Sequence, residues 1–222
     1  MPTIGFITEG DTDRAVLENI LVGYFGEDIS EYFTSLQPKP KEMGGWSRVL
    51  NYCASTDFSD AFRSERLDFV VIHIDTDRSF EKGYDVPHDV NGRKLSVDEL
   101  VNKVKERFDT LFKEAFGIEF LEKFCHKILF AISVHDTECW LLPLYYKESK
   151  DKLELKNCYE KLNKKVNGLN KKYSFYDAIS SDFRANKKLL TASKDNPSFK
   201  IFLENELNIK IPIKKEENTE GV

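Results

Sequence analysis

Residues 68–77 read DFVVIHIDTD. A run this apolar and β-branched, and this short, reads as a strand buried on both faces, the kind found in parallel sheets. TIGFIT (3–8) before it and KILFAISV (127–134) after it have the same character. Parallel strands need long crossovers, and helical patterns fill the gaps. Val16, Leu17, Ile20, Leu21 and Tyr24 recur at helical spacing, and Gly26 ends that run. EYFTSL (31–36) predicts a further strand closed by Pro38 and Pro40, and residues 44–65 predict a helix with a break. Residues 96–117 predict a helix opened by a Ser96/Glu99 capping box and closed by Gly117. Between these, residues 78–95 form a polar connection with a hairpin signal at Asn91-Gly92. The order predicts an α/β fold with a mainly parallel sheet flanked by helices.

The chain has 222 residues and a formal net charge of −5. Residues 147–200 hold 14 Lys or Arg against 7 Asp or Glu, so this stretch is +7 and the remainder −12. An acidic body therefore carries a basic, helical C-terminal segment. That segment is either a solvated helical face or a surface for a polyanion. The expected division is a catalytic body over 1–146, a Lys-rich extension over 147–213 packed on it, and a frayed tail over 214–222. Four cysteines show no C-x-x-C pair and no zinc spacing with the four histidines, so reduced thiols and a cytoplasmic location are expected. No apolar run approaches the roughly 20 residues that span a bilayer, so no membrane partner is expected. The N-terminus enters a strand at once, which leaves no signal-peptide pattern.

Each of the three buried-looking strands ends in acids. Glu9 ends the first, with Asp11 and Asp13 just beyond; Asp75 and Asp77 end the third; Asp136 and Glu138 follow the fourth. Ligands of open parallel sheets bind outside the carboxyl ends of the strands, so these acids are expected to converge. Asp75 and Asp77 point the same way if the strand persists. Crowded carboxylates repel, and a hard divalent cation such as Mg²⁺ or Mn²⁺ removes that cost. Plainer readings stand beside this one. Asp11 or Thr12 can cap the helix, and Asp13 suits its first turn. Asp75 and Asp77 can be turn formers, and Glu138 a surface residue. Glu9 has no capping role to explain it. His73, Trp46 and Trp140 read as core residues. His135 opens HDTE, a faint zinc hint, and His88 lies in the long connection.

IGFITEGDTD followed by FVVIHIDTD resembles the TOPRIM domain of topoisomerases, primases and related nucleases. The matching signature is Glu9-Gly10 and Asp75-x-Asp77. The stretch EGDTDRAVLENIL looks more like the small nuclease branch related to overcoming-lysogenization-defect nucleases, where a second acid matches Asp13. Asp136 and Glu138 fit that branch's next acidic position. ECWLL resembles a motif of small stand-alone bacterial TOPRIM-like proteins, several linked to phage defence. The resemblance covers about residues 3–145. It implies a TOPRIM-like (Rossmann-like) fold and a nuclease that hydrolyses phosphodiesters of DNA or RNA with Mg²⁺ or Mn²⁺. Glu9, Asp75, Asp77 and Glu138 would be catalytic, and Glu9, Asp13, Asp75, Asp77, Asp136 and Glu138 metal ligands. A late lysine would contact phosphate, with Lys187, Lys188 and Lys194 as candidates. The chain has no G-x-x-x-x-G-K-[ST] loop, so the implied ATPase would be a separate subunit. A homodimer is compatible with this reading. Two other classes remain open: a non-catalytic TOPRIM-like binding or sensor module, and a doubly wound phosphotransfer or phosphatase domain. Glu9-Gly10 departs from the acids that the last class places after its first strand.

Overall fold

The computed structural model describes residues 1–39, 42–64, 66–146 and 156–211. The body runs β1 (Ile4–Ile7), α1 (Asp11–Phe25), β2 (Phe33–Gln37), α2 (Trp46–Cys53), α3 (Thr56–Arg63) and β3 (Phe69–Asp75). A small hairpin follows, β4 (Asp89–Val90) and β5 (Arg93–Lys94), then α4 (Val97–Phe116), α5 (Ile118–Phe124), β6 (Ile128–Ser133) and α6 (Glu138–Tyr145). The C-terminal part holds α7 (Cys158–Lys165), α8 (Tyr173–Ser180), α9 (Asn186–Lys194) and α10 (Pro197–Ile201), which continues through a π-helical stretch over Phe202–Leu207. The expected elements are present, with one addition. Gly117 ends α4 at positive φ but starts a new short helix, α5, rather than a loop. Residues 147–155 and 212–222, with the expected tail, lie outside the described residues.

Four strands form a sheet in the order β2-β1-β3-β6, each pair parallel. The α/β class with a parallel sheet flanked by helices is therefore observed. Alternate residues divide its core in two. Val70, Ile72 and Ile74 face a cluster with α2, α3, α4 and α5, where Phe58 stacks on Phe112. Val71, Leu129 and Ala131 face the other side, with α1 and the C-terminal helices. The chain leaves β1 toward β2 and later crosses to β3 on the other side. The order thus reverses between β1 and β3, where doubly wound sheets open their crevice.

The C-terminal helices complete the second face. Trp140 is fully buried and stacks on Phe199 and Phe202. Glu206 reaches the edge strand, where Oε2 accepts the Phe130 N–H at 3.1 Å, and Lys105 and Lys210 neutralise it. That contact covers a polar edge that would otherwise invite another strand. Cys139 and Cys158 are both buried and joined in a disulfide linking α6 to α7. This corrects the expectation of four reduced thiols. The pairing depends on a Cα–Cα approach of 5.0 Å across 19 residues, which no spacing rule reports.

Gly23 marks how closely this lobe sits on α1. A Cβ there would lie 1.8 Å from the Phe183 carbonyl oxygen. Exchanging a helical glycine for alanine ordinarily stabilises. Here the sign reverses: Gly23→Ala is expected to cost about 1–3 kcal/mol in urea unfolding, because backbone has to shift.

Candidate metal centre

The parallel register sets the site. Ile7 pairs with Ile72, and Asp75 pairs with Ser133, so the carboxyl ends of β1, β3 and β6 share one edge. Two residues beyond β1, Glu9 turns back along the crevice. Its Oε1 accepts the Asp75 N–H at 2.8 Å, and the main chain of Trp46 at the start of α2 also favours the ionised carboxylate. Gly44 and Gly45 wrap the backbone of Glu9. Gly45 N–H donates to the Glu9 carbonyl at 2.8 Å, and a Cβ on Gly44 would lie 1.5 Å from that oxygen. Only glycine allows this approach.

Asp13 sits in the first turn of α1, and both of its oxygens are engaged. Oδ2 accepts the Gly10 N–H at 2.8 Å, and Oδ1 accepts the Thr137 hydroxyl at 2.9 Å. Asp13 is thus a helix cap as well as a member of the cluster, while Asp11 and Thr12 do not cap. Thr137 is the hub. Its Oγ1 also lies 3.1 Å from His73 Nε2 and 3.3 Å from Asp75 Oδ1. His73 is buried, shares Nε2 with Ser133 Oγ at 2.9 Å, and leaves Nδ1 without a partner. Burial holds this imidazole down at about 3, so it faces Asp75 uncharged.

β3 stops at Asp75, so Asp77 does not continue its alternation; it lies in the turn beyond, exposed. The turn after β6 clasps this one. The His135 carbonyl accepts the N–H of Thr76 and of Asp77, each at 3.0 Å. Asp136 and Glu138 follow. The main-chain N–H of Cys139 donates to Asp136 Oδ1 at 3.1 Å, and the Tyr176 hydroxyl donates to Glu138 Oε1. Asp13 and Glu138 are buried, whereas Glu9, Asp75 and Asp136 are partly open and Asp77 is exposed. All six predicted acids therefore come to one edge, four of them toward solvent.

Their charge is unfavourable as they stand. Burial, then Asp13, raises Glu9 to about 8 against the bond from Asp75. Burial raises Asp13 to about 6 against its bonds from Thr137 and Gly10. Burial, then Glu138, raises Asp136 to about 7. Asp75 is pushed well up by burial, then by Glu9, Asp13, Asp136 and Glu138. Burial raises Asp77 as well. The donor set is all hard oxygen, which suits Mg²⁺ or Mn²⁺. Asp136 also lies with Cys139 and Cys158 in a group whose candidate ligand atoms are within 4.8 Å of one another, but sulfurs bonded to each other are not thiolate ligands.

Lys171, just before α8, acts on Asp13, Asp77 and Asp136, and Arg78 acts more strongly on Asp77. Sequence reasoning missed Lys171, together with Thr137 and Tyr176, since only tertiary packing brings them here. The expected lysines lie on α9. Lys188 pairs with Asp182 at 2.7 Å, Lys187 lines a surface cavity beside Pro143, and Lys194 lines another with Asp98. Among the described residues no helix is long and apolar enough to cross a membrane.

The acids predict a pH response of definite sign. Unfolded carboxylates titrate near about 4, and these titrate higher when folded. Between those values the unfolded chain has released protons that the folded chain keeps, so metal-free stability falls as pH rises from about 4 to about 8. Glu9→Gln keeps the acceptor for Asp75 and removes one such carboxyl. It is expected to match wild type at pH near 4 and exceed it by roughly 2 kcal/mol at pH near 8 in EDTA, with Mn²⁺ narrowing the gap. Thermal unfolding at the two pH values, with and without Mn²⁺, checks this.

Comparison with protein-family models, curated proteins and solved structures gives no match, so the reading of this centre rests on its own geometry.

Proposed function

We propose that the chain is a divalent-metal-dependent nuclease of TOPRIM-like type, with its centre at the β1/β3/β6 edge. One observation carries the reading. Six acids from three strand ends meet at one edge where burial raises Glu9, Asp13, Asp75, Asp77 and Asp136, and repulsion within the cluster adds to it at Glu9, Asp75 and Asp136. A fold keeps so costly an arrangement where it serves a site. Glu9, Asp75, Asp77 and Asp136 would hold the cation. Asp13 and Glu138 lie behind them, bonded to Thr137 and Tyr176. When bound, the cation would supply Lewis-acid charge and an acidified water.

The protein's own groups have separable roles. Glu9, raised to about 8 by burial and Asp13 in the absence of a cation, would be held ionised as a ligand, or would instead serve as general acid or base. Thr137 orients Asp13 and Asp75, and uncharged His73 supports that hydroxyl without adding charge. Lys171 offsets negative charge at the mouth, the role expected of a phosphate-binding lysine. The +7 segment from 147 to 200 would grip the nucleic-acid backbone without reading bases. A bacterial phage-defence setting in the cytoplasm, with a separate ATPase subunit, is the context that best suits such an enzyme.

Nicking of supercoiled plasmid in Mn²⁺ or Mg²⁺ tests this. Wild type is expected to nick, Asp77→Ala to fall to background, and Glu9→Gln to lose about 100-fold or more. Equal nicking by all three proteins would sink the proposal. Metal binding without nicking of DNA or RNA would favour a non-catalytic module.

Lys171→Ala is expected to slow cleavage by about 10-fold or more, from lost charge stabilisation. Lys188→Ala, whose cation is held by Asp182, is expected to stay near wild type. The single-turnover rate at saturating metal is the readout.

A further inference from the structure

The connection over residues 78–95 leaves the centre directly after Asp77 and carries a feature the acids do not explain. Phe80 is 62% exposed, although a large ring gains nothing in folding by standing in water. Its ring meets that of His88 edge-on, with centroids 5.6 Å apart. His88 meets His135 in the same manner at 6.1 Å. Three rings thus run in a row from solvent to the residue that precedes Asp136.

The row is held in place. His88 Nε2 lies 2.6 Å from the Thr76 carbonyl oxygen, so that nitrogen carries the proton. His135 N–H donates to Thr76 Oγ1 at 2.9 Å, and its backbone is left-handed, with φ of 72°. The Ser79 hydroxyl donates to the Val86 carbonyl and the Val86 N–H to the Ser79 carbonyl, each at 2.8 Å, which closes the loop that carries Phe80. Positive charge flanks the row: Lys94 and Lys156 act on His135, and Lys171 acts on Asp77 and Asp136.

Exposed rings interleaved with cations are what a strand with unpaired bases requires. A base inside a duplex has both faces covered and cannot use such a ring. We propose that Phe80, backed by His88 and His135, is a stacking platform for an unpaired nucleobase beside the acidic centre. The substrate is then single-stranded or locally opened nucleic acid. This rests on the nuclease reading of that centre. The platform grips any base by its π-face, and the cations hold the adjoining phosphates.

Fluorescence anisotropy in Ca²⁺ buffer tests it, using short labelled single strands of DNA and of RNA and a DNA duplex of the same sequence. Phe80→Ala is expected to weaken binding of at least one single strand by about 5- to 150-fold, leaving duplex affinity and thermal unfolding unchanged. The preferred strand identifies the sugar. Phe80→Trp is expected to keep the affinity, and the emission of its added indole to be quenched by that strand but not by duplex. Wild-type affinity in Phe80→Ala, an unquenched Phe80→Trp, or no binding of either strand by wild type overturns the platform. Plasmid nicking in Mn²⁺ is read in parallel. Nicking that persists while Phe80→Ala binds normally overturns the platform alone. Absence of cleavage of the plasmid and of both single strands in Mn²⁺ overturns the reading of the centre whatever Phe80 does.

Discussion

The Glu9 carboxylate accepts the main-chain N–H of Asp75, and this bond joins the ends of β1 and β3 at the point where strand order reverses. Much else follows from holding an acid there. The loop carrying Gly44 and Gly45 has to close over its backbone, which excludes a side chain at Gly44. Asp13 must share its charge with the Gly10 N–H and the Thr137 hydroxyl. Glu138 must find Tyr176. The parallel register supplies the convergence, and the hydrogen bonds make it tolerable. Neither removes the electrostatic cost, which the cation proposed above would offset.

The two faces of the sheet are covered by different parts of the chain. α2, α3, α4 and α5 serve one face with a phenylalanine-rich cluster. The other depends on α1 and on helices drawn from residues 138–211. The basic C-terminal segment is therefore half of a shared core as well as a charged surface. Asn19 shows the coupling on a small scale: its amide donates to the Asp177 carbonyl and to Ser180 Oγ, 158 and 161 residues away.

Much of this was readable from residue order. β3 and β6 announce themselves because strands buried on both faces have no polar alternation to blur them. The Ser96/Glu99 box locates the start of α4 because capping is local chemistry. The six acids were legible because a parallel sheet puts all of its carboxyl ends on one edge. What was not legible is tertiary. Gly117 looks the same whether a loop or α5 follows. Lys171 resembles the other lysines of its segment until the fold brings its charge within reach of Asp13, Asp77 and Asp136. Cys139 and Cys158 carry no spacing signal, and nothing local marks Thr137 as the hydroxyl that bridges Asp13 and Asp75. Asp77 was read as continuing the strand, but the clasp from His135 ends β3 two residues earlier.

The seam between α1 and the C-terminal lobe bears on how the protein is made. The Tyr24 hydroxyl donates to the carbonyl of Ile211, and Glu206 seals the edge of β6. During synthesis, residues 1–146 emerge with one face of their sheet covered only by α1 and α6. They can collapse early, but they cannot bury Trp140 or anchor Glu138 until Tyr176, Phe199 and Phe202 have left the ribosome. The acidic edge is thus finished last, even though its first glutamate is among the earliest residues translated. A growing chain would carry the acids of that edge well before it could hold them in place.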